Sequence, residues 1–85
     1  MKKEIEFICY DKNNGLRLIW DKDFAIAVAT DGNEVIINAN KAGLISLARH
    51  LITLAQDDVP DGSHFHFDEY NSLDAGSLDL IIQKN

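Results

Sequence analysis

Residues 24–55 read FAIAVATDGNEVIINANKAGLISLARHLITLA, and their hydrophobic period changes once. From Phe24 to Thr30 large and small residues alternate with a period of two, the pattern of a strand. Asp31-Gly32-Asn33 is a tight turn, and Glu34-Val35-Ile36-Ile37-Asn38 is a second strand rich in β-branched residues. Beyond Asn40 the apolar residues fall at 42, 44, 45, 47, 48, 51, 52, 54 and 55, a broad helical stripe that runs to Asp57. Asn38 or Asn40 supplies the N-cap. Gly43, in the first turn, costs about 1 kcal/mol against alanine, and a close approach of the helix to the sheet would explain it. Asp57-Asp58-Val59-Pro60-Asp61-Gly62 ends the helix, with the proline just beyond its last turn.

Working outward, Glu4 to Tyr10 alternates, Asp11-Lys12-Asn13-Asn14-Gly15 offers positive-φ residues, and Leu16 to Trp20 follows, which predicts a hairpin. Asp21-Lys22-Asp23 turns the chain again. After the helix come a strand at 63–69, a loop at 70–76 and a strand at 77–83. The order is ββββαββ in a single domain, 1–85. The predicted class is α+β, an antiparallel sheet of about six strands with one amphipathic helix packed on one face. The helix-packed face collects Ile5, Phe7, Cys9, Leu16, Leu18, Trp20, Phe24, Ile26, Val28, Val35, Ile37, Phe65, Phe67, Leu78, Leu80 and Ile82. The other face holds Tyr10, Ile8, Ile19, Ile36, Ile81, His64, His66, Asp68 and Asp79 among others. It is too apolar to meet only water, which points to a protein contact, with a second copy or a different partner. The bland alternative is isolated surface isoleucines, which are normal.

Eighty-five residues make one modest core. Nothing after Met1-Lys2-Lys3 reads as a secretory segment, and no run approaches the ~20 apolar residues of a membrane span. The lone Cys9 has no intramolecular disulfide partner, so a reducing, cytoplasmic setting is expected. From Asp57 onward there are seven acids and one base, Lys84, whereas residues 1–56 hold seven of each, so the net charge of −6 belongs to the last third. That balance argues against nucleic acid and suits a basic partner protein. Asp57, Asp58 and Asp61 are the candidates to steer it, since acids at a helix C-terminus oppose the macrodipole and serve something other than helix stability.

The run His64-Phe65-His66-Phe67-Asp68-Glu69 sends both phenylalanines to one face and His64, His66 and Asp68 to the other. Two imidazoles and a carboxylate suit zinc or iron, but successive ligands on a flat strand lie ~6.6 Å apart, a poor geometry for convergence on one ion. The expectation is therefore no metal and no cofactor, with a small metal- or ligand-binding domain as the alternative. Cys9 falls on the core face and reads as a buried structural thiol. A carboxylate pair such as Asp68 with Asp79 needs a pocket that so small a sheet does not offer, so no enzymatic activity is expected.

The segment Asn40-Lys41-Ala42-Gly43-Leu44-Ile45-Ser46-Leu47-Ala48-Arg49-His50-Leu51, then Gly62-Ser63-His64-Phe65-His66-Phe67-Asp68 and Ala75-Gly76-Ser77-Leu78-Asp79-Leu80-Ile81-Ile82, resembles the immunity protein 32 family of bacterial polymorphic toxin systems. The resemblance covers roughly residues 34–84, and its motif positions are Gly43, Leu44, His64, His66 and Asp68. It implies a small cytosolic protein that binds a cognate toxin domain and blocks it, without catalysis. The partner surface expected from all of this comprises Tyr10, Ile19, His64, His66 and Asp68 with the acids Asp57, Asp58 and Asp61; a homodimer through the second sheet face is the remaining structural possibility.

Overall fold

Asn40 is the junction between sheet and helix. Its extended backbone ends a hairpin, and its side-chain Oδ1 accepts from the Gly43 amide at 2.8 Å and from the Ala25 amide at 3.0 Å. Its Nδ2 donates to the Asp23 carbonyl at 2.9 Å. One side chain thus caps the helix and ties it to the chain entering the first strand of that hairpin. These contacts belong to a computed structural model that describes residues 4–85; Met1-Lys2-Lys3, read above for a secretory segment, lies outside the described residues.

The described elements are β1 (Ile26–Asp31), β2 (Glu34–Ala39), α1 (Lys41–Leu54), β3 (His64–Phe67) and β4 (Leu80–Gln83). The class is α+β with one helix, but the strands form two antiparallel pairs, β1 with β2 and β3 with β4, rather than one sheet of six. β1 and β2 turn at Gly32, which adopts a positive φ of 59°, and register Val28 against Ile37. β3 and β4 register Phe65 against Ile82 and Phe67 against Leu80. The segment between Leu73 and β4 joins the two pairs. The Asp74 amide donates to the Ile26 carbonyl at 2.8 Å and the Leu78 amide to the Val28 carbonyl at 2.9 Å. That is why the expected strand at 77–83 begins only at Leu80: its first residues are bonded to β1 and not to β3.

The expected N-terminal hairpin forms its turn and not its ladder. Asp11 accepts the amides of Asn14 and Gly15, and a single bridge links Asp11 with Gly15. Beyond the turn the backbone groups go to α1 and to Gln56 just past its end instead. Arg49 Nε donates to the Glu6 carbonyl at 2.7 Å, and the Gln56 carboxamide takes the Ile8 carbonyl and the Tyr10 amide at 3.0 and 2.8 Å. Ser46 Oγ accepts the Asp21 amide at 2.9 Å, while Arg49 and His50 both reach the Ile19 carbonyl. Polar side chains of the helix, and of Gln56 just beyond its end, do here what a neighbouring strand would otherwise do.

This also corrects the reading of the helix. Its buried line is Gly43, Ser46, His50, Thr53 and Leu54, whereas Leu44, Leu51 and Ile52 of the apolar stripe are exposed. The core is Ile26, Val28, Leu54, Val59, Phe65, Phe67 and Leu73, with Trp20, Phe24, Leu47, Leu80 and Ile82 packed around it. Phe7, Val35, Ile37 and Leu78, assigned above to the core face, are exposed, because the parts of the chain that carry them have no layer above them. Cys9, expected to be buried, is exposed for the same reason. Val59 and Leu73 enter the core from loops, which no periodicity marks.

Gly43 bears out its expected role. A Cβ there would lie 2.5 Å from the Ala25 carbonyl oxygen, 2.9 Å from Ile26 Cγ1 and 3.2 Å from Ala39 Cβ. The neighbour at closest range is backbone, so the helix must move. Gly43→Ala is expected to lower the unfolding free energy by about 1–2 kcal/mol in a urea titration, since overpacking outweighs the gain of about 1 kcal/mol in helix propensity. A more stable variant would contradict this packing.

Candidate partner-binding surface

β3 alternates as its sequence demands. Phe65 and Phe67 are buried, and His64 and His66 are exposed, beside Ile81 and Gln83 of β4. His66 Nε2 lies 3.0 Å from Asp79 Oδ2, both side chains well exposed to water, so the pair orients the ring and adds little stability. Asp68 does not share this face as a ligand. Its Oδ1 accepts the amides of Tyr70 and Asn71 at 2.9 and 3.1 Å, and its carbonyl accepts those of Asn71, Ser72 and Leu73. The carboxylate builds a turn instead of pointing out beside the imidazoles. Among the described residues no group of three His, Cys, Asp or Glu side chains is placed to hold a metal ion.

The turn built by Asp68 carries Tyr70 at its tip, and this residue is 91% exposed. Asn71 locks the turn to the strand, donating from Nδ2 to the His66 carbonyl at 2.9 Å. A rigidly presented aromatic with a polar end is a common interface anchor. The sequence reading passed over Tyr70 as part of a loop; the signal was a lone aromatic among Asp68, Glu69, Asn71 and Ser72. Between β3 and residues 16–20 runs an open cleft of about 270 Å³. Leu16, Leu18 and Trp20 form one wall, Phe65 and Phe67 the other, and His64 and His66 stand at the rim.

Beneath the cleft the helix contributes His50, which is 0% exposed. Its ring meets Trp20 edge-on at 4.3 Å and lies 5.8 Å from Phe67. Nε2 faces the Ile19 carbonyl at 3.1 Å, and a carbonyl only accepts, so Nε2 carries the proton. Nδ1 has no partner. Burial is the main cause that holds the His50 pKa below its usual value, helped by the nearby Arg49 charge and opposed by the Ile19 carbonyl.

The other expected contacts are scattered. Ile19 is exposed at the end of the cleft wall, its carbonyl held by Arg49 and His50. Tyr10 is half-buried against the core, its amide bonded to Gln56. Asp57, Asp58 and Asp61 are all exposed, and among the described residues none is ion-paired. The single base of this region, Lys84, forms no ion pair with them among the described residues. Lys84 Nζ turns inward and donates to the Gln56 and Val59 carbonyls at 2.6 and 2.7 Å, where it complements the end of α1.

The sequence model of immunity protein 32 matches residues 34–85, well over half of the chain and the whole of β2, α1, β3 and β4. The chain belongs to the immunity protein 32 family. Comparison with curated proteins and with solved structures finds no match. The family name implies a toxin partner in general. The exposed polar and aromatic features of this immunity protein 32 chain include the histidine rim, Tyr70 and the unpaired acids. Among the described residues no helix is long and apolar enough to cross a membrane.

The His50 environment sets a pH dependence. A histidine whose folded pKa is depressed takes up its proton more readily in the unfolded chain, so it stabilises the fold above the unfolded value near 6.5 and that contribution is lost as pH falls below it. The urea midpoint should drop between pH 7 and pH 5, and His50→Gln should flatten that drop. An unchanged slope in the variant would show that His50 is not the titrating group.

Proposed function

We propose that this chain binds the catalytic domain of a cognate bacterial toxin as a stoichiometric complex and blocks it by occlusion, in the cytoplasm of the producing cell. The observation that carries the reading is the family match over residues 34–85, which assigns the chain to a class defined by immunity. Two features support it. Asp57, Asp58 and Asp61 are exposed and unpaired among the described residues, and the segment from Asp57 onward carries seven acids against one base, a net negative field. Such a field raises the association rate with a basic partner. Close by in sequence, His64, His66, Tyr70 and Ile81 offer exposed aromatic and apolar area on rigid elements, the usual make-up of an interface centre.

In this reading Ile19 and the cleft beside it extend the contact surface, Asp68 acts by holding Tyr70 in place, and Tyr10 acts from beneath as a packing residue. The toxin is a protein ligand, and the site needs no cofactor.

The test is co-expression with the cognate toxin domain. Cells should survive with the wild-type chain and die without it, and the two proteins should co-purify one to one. Replacing Asp57, Asp58 and Asp61 together by Asn should lower the association rate about tenfold at low salt and leave the dissociation rate nearly unchanged. Tyr70→Ala should act the other way, raising the dissociation rate. Survival without any complex would overturn the proposal.

A further inference from the structure

β1 and β2 form a two-stranded sheet, and its two edges are treated differently. The β1 edge is covered by the chain itself. The carbonyls of Ile26 and Val28 accept the amides of Asp74 and Leu78, and the Val28 amide donates to Ser77 Oγ at 3.1 Å. These bonds show that the backbone groups of Ile26 and Val28 point away from β2. In an antiparallel pair their opposite numbers, Ala39 and Ile37, point away from β1, and so does Val35 two residues on. Outside the β1–β2 ladder, no backbone hydrogen bond among the described residues reaches the amides or carbonyls of Val35 and Ile37. The side chains on this edge are apolar and exposed, with Val35 at 65%. It carries no lysine, proline or bulge of the kind that normally blunts an edge.

We propose that the β2 edge pairs with β2 of a second copy of this chain, antiparallel about a two-fold axis through Ile36. The strand is chemically self-complementary about that residue. Val35 of one copy meets Ile37 of the other, and their outward amides and carbonyls complete the ladder. Ile36 meets Ile36, and Glu34 meets Asn38, so no like charges oppose each other. A register one residue away would place core-side residues against outward ones.

Charge does not oppose a second copy at the pairing itself: of residues 34–38 only Glu34 is charged, and it meets Asn38. The area is modest. A six-residue strand edge covers less than the roughly 1,200 Å² of a standard interface, so the pairing is concentration-dependent and not obligate. It stands independently of the toxin reading, since it uses a different edge of the molecule.

The experiment combines mass with cross-linking. Sedimentation of the wild-type chain should show a mass that rises with concentration from 9.5 kDa towards twice that value. Ile36→Lys, a change at an exposed position, should weaken association roughly tenfold by losing the cross-strand contact and opposing like charges. The register is read separately in a Cys9→Ser background. Ile36→Cys should form an intermolecular disulfide under mild oxidation, because residues facing each other in this pair lie about 4.5 Å apart at Cα. Asn38→Cys should not, since its symmetry mate is displaced by about 13 Å along the strand. A constant monomeric mass with no cross-link at Ile36 overturns the proposal and leaves the edge to some other partner. Cross-linking at Asn38 in preference to Ile36 overturns it as well, in favour of a different interface.

Discussion

Helix α1 and Gln56 just beyond its end hold the N-terminal third of the chain through side chains, and the rest of the architecture depends on that arrangement. Ser46, Arg49, His50 and Gln56 take the backbone amides and carbonyls of residues 6–21 that a neighbouring strand would otherwise satisfy. Buried backbone groups must find partners, and helical side chains provide them only if the helix lies close. Gly43 and Asn40 bring it close, the first by having no Cβ and the second by bonding both helix and strand. The wall formed by Leu16, Leu18 and Trp20 is placed by the same contacts, and with it one side of the cleft beside β3.

The division of labour follows. Polar residues that are charged or hydrogen-bonding in sequence, such as Arg49, Lys84 and His50, are turned inward to satisfy backbone. Acids that have no backbone to satisfy remain outside. The excess of acid lies from Asp57 onward, seven acids against Lys84 alone.

Much of this was legible in the sequence, and the failures have physical causes. The β1–β2 hairpin, the helix with its Asn40 cap, the Gly43 approach and the alternation of β3 all follow from local rules of turn, cap and period, and each is found. The family resemblance over the second half is likewise matched by the family model. The N-terminal ladder was misread because Glu4 to Tyr10 has strand chemistry whether its backbone bonds to a strand or to Arg49 and Gln56. The buried face of α1 was misread because a stripe of Leu and Ile outweighs Ser46, His50 and Thr53 on any hydrophobic scale, although those three are the buried ones. Asp68 looked like a third member of the histidine face; its place at the end of β3, where the chain must turn, made it a turn-builder instead.

Amide hydrogen exchange by NMR tests the central constraint most directly. If side chains of α1 and Gln56 hold the N-terminal segment, the Tyr10 and Asp21 amides, bonded to Gln56 and Ser46, should be protected nearly as well as the interior of the helix, and Ser46→Ala should release Asp21. Free exchange of both amides in a chain whose β3–β4 pair stays protected would contradict the account.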